Sequence, residues 1–135
     1  ALADSYREQC AAVGVKPYIC LMRETWAAPT QEIVEEQWFK PAREFHKYYW
    51  HAGTRGDEED PVLQRVANDE EVGFREFVHN RAIAGTPDLC IDEIRRWHDA
   101  IKFDELAVYF NGPRDEGVWE PAVEFFAKEV MPAFR

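Results

Sequence analysis

The chain has 135 residues, 46% of them hydrophobic and 14% aromatic, which fits one ordinary domain and is too apolar for a disordered segment, because burial can offset the entropy of ordering. Its 26 acidic and 16 basic residues leave a formal charge of -10. Without a basic stripe to neutralise phosphates, neither nucleic acid nor an anionic membrane surface is an expected partner. Cys10, Cys20 and Cys90 lack CxxC spacing and read as reduced thiols of a cytoplasmic protein. The sequence has no signal-peptide pattern and no long uncharged apolar stretch.

Leu2, Tyr6, Gln9, Cys10 and Val13 share one face at helical spacing, with Gly14 as the stop. The chain opens without Met and in mid-pattern, so a fragment of a longer chain is expected. Pro17 to Met22 carries no charge, which predicts a strand covered on both faces, as in a parallel sheet. Thr30 stands where it can cap a helix carrying Val34, Trp38, Ala42, Phe45, Tyr49 and Ala52 at spacings of three and four. Pro41 predicts a kink or break in that helix, because it lacks a backbone donor and clashes with the preceding turn.

Residues 54–61 are all charged or turn-forming and predict an exposed loop, and 61–78 predicts one or two helical pieces. Arg81 to Ala84 then reads as a short strand running into Gly85-Thr86-Pro87, with Thr86 as cap and Pro87 in the first helical position. Cys90, Ile94, Trp97 and Ile101 mark the buried stripe of the next helix, and Leu106 to Phe110 a third strand. Asn111-Gly112-Pro113 breaks the chain before a last helix carrying Val118, Ala122, Phe126 and Val130. The alternation predicts an α/β fold in which strands at roughly 17–27, 80–85 and 105–110 pair in parallel and in sequence order. The histidines have neither the spacing nor the partners of a metal site, so no metal is expected.

Three phrases, IAGTPDLCIDEIRRW, DELAVYFNGP and AVEFFAKEVMPAFR, together resemble the C-terminal end of the bacterial-luciferase-like, flavin-dependent monooxygenases. Gly85, Thr86 and Pro87 match that family's turn after the seventh strand, while Phe126, Glu129, Val130, Pro132 and Arg135 fit its closing phrase. Upstream, MRETWAAPTQEI is similar to the sixth strand and following helix, through Arg23, Glu24 and Thr30. The resemblance implies the last three strand-helix units of a TIM (β/α)8 barrel. It also implies reduced FMN from a separate flavin reductase, or a deazaflavin in a sister branch, acting on a small organic substrate. The catalytic residues and most cofactor contacts would lie upstream of Ala1. Because three strands leave open edges, the rest of the barrel or a second copy in a homo-oligomer is expected to cover them.

Barrel chemistry sits at the carboxyl ends of the strands, which selects the site candidates. Gly85 and Thr86 are the cofactor candidates: Gly85 allows close backbone approach or is an ordinary turn glycine, and Thr86 touches ligand or caps a helix. Trp26, Phe110, Asn111 and Arg114 are the substrate-pocket candidates. For Trp26 and Phe110 the alternative is core packing, and for Arg114, which could hold an anionic group, a solvated surface position. Of Arg23 and Glu24, neighbours in a strand, only one can face inward, where a structural ion pair is expected. A non-catalytic, acidic and aromatic-rich interaction module is the alternative of a different class.

Overall fold

The computed structural model describes residues 2–53, 60–113 and 115–135. The chain opens on α1 (Leu2–Ala12) and reaches the first strand, β1 (Cys20–Ala27). Gly14 adopts a positive φ of 72° just past α1, the left-handed conformation that ends a helix without steric cost. Only Cys10 of the predicted α1 stripe is buried, and Leu2 is 87% exposed.

After β1, Thr30 caps α2 (Gln31–Val34) by accepting from the Ile33 N–H at 3.4 Å. The helix widens through a π-turn at Glu35–Phe39 and continues as α3 (Lys40–His51). The break expected at Pro41 thus takes the form of a bulge. The Lys40 N–H bonds to the Glu35 carbonyl five residues back, and this wider turn makes room for a residue that cannot donate. Two short helices follow, α4 (Pro61–Ala67) and α5 (Phe74–Val78), then β2 (Ala82–Gly85) and α6 (Pro87–Ile101). β3 (Glu105–Tyr109), α7 (Glu116–Glu129) and a 3-10 turn at Met131–Phe134 complete the described elements. The predicted loop lies outside the described residues from 54 to 59.

The fold class is α/β with a parallel sheet, as expected. The strand order is not. β1 pairs with β2 through Glu24↔Ala82 to Ala27↔Gly85, and with β3 through Cys20↔Glu105 to Glu24↔Tyr109, giving the order β2-β1-β3. Pairing in sequence order would have put β2 in the middle. The connection from β1 to β2 steps one way across the sheet, and that from β2 to β3 steps back over β1. With crossovers of one hand, a reversal of direction carries the second connection to the opposite face.

The side chains record this reversal. Trp26, Ala82 and Ala84 point to a face packed with Val34, Trp38, Phe39, Ala42, Val66, Phe74 and Phe77 from α2 to α5. Ala27 and Ile83, of the other parity, pack with Cys90 and Ile94 of α6 and with Phe126 and Val130 at the end of α7. Helices therefore cover both faces of an open sheet, whereas consecutive barrel units place all their helices on one. Edge-on ring contacts knit the first face, with Trp38 6.0 Å from Phe77 and Phe39 5.5 Å from Phe74 between centroids.

Candidate functional site

Parallel pairing brings Trp26, Gly85 and Phe110 to the same end of the sheet. Asp104 stands at the other end, where its carboxylate accepts the Ile19 N–H at 2.9 Å. In open α/β sheets ligands gather outside the carboxyl ends of strands, at the point where successive connections leave to opposite faces. Here the chain leaves β1 toward α3 and leaves β3 toward α7, whose Ala122 packs on the α3 side of the sheet and whose Phe126 packs on the α6 side.

A cleft of about 540 Å³ opens there. Phe45 and Tyr49 of α3 form one wall, with ring centroids 4.5 Å apart. The floor is the end of β3 and the turn after it, Tyr109 to Pro113, and the far wall is Glu116, Trp119 and Glu120 of α7. Asp115 caps α7 through the Gly117 N–H at 3.0 Å, and the Trp119 indole N–H donates to the Phe110 carbonyl at 3.3 Å, tying helix and turn together.

Phe110 and Asn111, both predicted, line this cleft. The buried Nδ2 of Asn111 has no hydrogen-bond partner among the described residues. Trp26 does not reach the cleft surface. It is fully buried, and its ring lies beneath Phe110 at 6.2 Å and against Gly112, where an added Cβ would fall 2.2 Å from the indole. It supports the turn from below, so core packing is its role. Arg114 lies outside the described residues.

Gly85 and Thr86 stand apart from the cleft. Gly85 has a φ of 149°, and the space its missing Cβ leaves is occupied by Leu89 at 3.0 Å. The turn glycine therefore serves close helix-strand packing. Thr86 occupies the N-cap position of α6 with extended backbone, but its side chain makes no capping bond, contrary to the expected cap. Arg23 and Glu24 diverge as predicted, and the largely buried Glu24 has a partner in His46. The Arg23 guanidinium lies 4.1 Å from the centre of the Trp97 ring, and burial, helped by the Arg96 charge, lowers its pKa.

Glu24 meets His46 of α3 at 3.0 Å, both side chains largely buried. Sequence reasoning expected a pair for the inward member of Arg23 and Glu24 but not its partner, His46, which lies 22 residues away. It anchors α3 to β1. Cys90 lies between the strand ends, its thiol 3.8 Å from the Trp26 carbonyl and 3.7 Å from that of Gly85. Burial pushes its pKa up to about 12, which leaves no thiolate for chemistry.

No family model and no curated protein matches the chain. Among the described residues no group of histidine, cysteine and carboxylate side chains could hold a metal ion, and no helix is long and apolar enough to cross a membrane.

The residues present do not fit the phosphate of FMN. Two carboxylates and no described lysine or arginine line the cleft, and Asp88 stands in the first turn of α6. The arrangement can enclose an organic molecule against aromatic surface with a few polar groups at its rim. A larger groove of about 640 Å³, containing His98, Phe103, Leu106 and Phe134, holds none of the candidates. It runs along Leu106 and Val108 of β3, on the face covered by α6.

Proposed function

We propose that this chain forms the substrate-binding part of a flavin-dependent oxidoreductase of the luciferase-like kind, working in the cytoplasm. One observation supports the reading: an aromatic cleft at the carboxyl ends of the strands, built in part from the phrase DELAVYFNGP that bears the resemblance. The chain's own part is to seat an organic substrate against Tyr109, Phe110 and Trp119 and to exclude water from it. The reduced flavin, supplied by a separate reductase, would be held by other segments, since the described residues of the cleft offer its phosphate no counter-charge. A deazaflavin-dependent dehydrogenase is the alternative within the same resemblance.

A complete barrel would require β3 to leave β1 and pair with the free edge of β2, while another strand takes its place. An open β1 edge attracts the next available strand because its donors and acceptors are otherwise unpaired.

Reconstitution tests the function. The full-length protein carrying this chain, given reduced FMN and oxygen, should take up oxygen and retain a flavin absorbance band after gel filtration. Turnover with a reduced deazaflavin in the absence of oxygen would select the dehydrogenase instead. Failure to retain or oxidise either cofactor would sink both readings.

A further inference from the structure

We propose that the cleft between α3 and α7 recognises an organic cation: a protonated or quaternary amine carried on an apolar or aromatic body. The proposal rests on the cleft being the ligand site, and not on which cofactor serves it. Three features point to this class.

Glu116 and Glu120 stand four residues apart on α7, so both carboxylates project on one side of the helix, and both line the cleft. Neither has an ion-pair partner among the described residues. Like charges at this spacing destabilise a helix. Glu116, in the first turn, is favoured by the helix dipole, whereas Glu120, a turn later, is not. A cation seated between them would relieve the repulsion.

The second feature is the wall opposite and beside these carboxylates. Phe45, Tyr49, Tyr109 and Trp119 all line the cleft, and Trp119 remains 39% exposed. Aromatic faces attract ammonium groups through their quadrupoles, most strongly for tryptophan, and repel carboxylates. Carboxylates and aromatic rings round one concave site thus favour the same sign of charge. The third feature is the whole chain, whose charge of -10 raises the local concentration of cations and lowers that of anions.

Three probes of one shape give the test on the full-length protein carrying this chain, without flavin: trimethyl(2-phenylethyl)ammonium, 2-phenylethylamine and 3-phenylpropionate, titrated against tryptophan fluorescence. Both cations should bind saturably, at least about tenfold tighter than the carboxylate, and weaken as salt is raised. The double substitution Glu116→Gln and Glu120→Gln should lower ammonium affinity about tenfold while leaving the thermal melt in place; both side chains are exposed, so the fold does not depend on them. Carboxylate binding as tight as that of the cations would overturn the proposal. So would absence of saturable binding by all three probes, or a Gln variant that binds the ammonium like the parent chain. Binding of the cations by a protein that never accepts flavin would preserve this inference and remove the oxidoreductase reading. Flavin turnover without cation selectivity would do the reverse.

Discussion

Cys90 and Cys20 show how differently one residue type is used. Cys90 is fully buried against the ends of β1 and β2, with its thiol held protonated by burial, whereas Cys20 is exposed at the start of β1. Because the thiolate is the reactive form, a disulfide reagent at pH 8 should label Cys20 at the rate of a free thiol. Cys90 should react only in denaturant, and rapid native labelling of Cys90 would show that the β1–α6 contact is open. Sequence placed Cys90 in the buried stripe of its helix, as found, and Cys20 in a run expected to be covered on both faces, which its exposure contradicts. Which of two neighbouring strand positions faces inward depends on the covering helices, and the same ambiguity hid the burial of Trp26 behind Phe110.

Among the helices, α4 shows most directly what holds an element in place. Asp60 accepts from the N–H groups of Val62 and Leu63, each at 3.0 Å, and also pairs with the largely buried Arg81 just before β2. Burial raises its pKa, but the Leu63 N–H and the Arg81 charge outweigh that, so the carboxyl sits below its ordinary value. A depressed folded-state pKa means that this stabilisation is fully present above the unfolded value of about 3.9 and is lost as pH falls through the folded value. Asp60→Ala should therefore cost about 1–3 kcal/mol at neutral pH, through a lost cap and an unpaired Arg81. The difference from the parent chain should shrink in acid. A pH-independent difference in denaturant titrations would mean that the ion pair contributes nothing. Pro61 in the first helical position made this helix start legible, but the reach of Asp60 to Arg81 was not, because it joins residues 21 apart in sequence.

Across the whole molecule, strand order governs both the stability pattern and the position of the cleft. β1 is hydrogen-bonded on both sides, while β2 and β3 each leave one edge unpaired. Amide hydrogen exchange should consequently be slowest in β1, between Leu21 and Ala27, and faster on the outer strands. Greatest protection at Ala82 to Gly85 would mean that β2 is central, as consecutive barrel strands require. The face of the sheet toward α3 is also only partly covered. Cys20 is exposed and Met22 is 66% exposed, so the amino-terminal half of that face is free for another element to pack on.

The sequence by itself determined the local elements, because the information for each is local. Hydrophobic period marked the stripes of α6 and α7, uncharged runs marked β1 and β3, and Gly14, Thr30, Pro61 and Pro87 marked starts and stops. It also determined the parallel α/β class, since strands separated by helices leave few other arrangements. Only the tertiary structure decided that β1 lies between β2 and β3, because either order satisfies the same hydrophobic pattern and the same short connections. That choice sends α6 to the face opposite α3, and places Phe45, Tyr49, Glu116 and Glu120 round one cleft although more than 60 residues separate the two pairs. Proximity between distant segments is set by which strands pair, and strand pairing is a property of the assembled sheet.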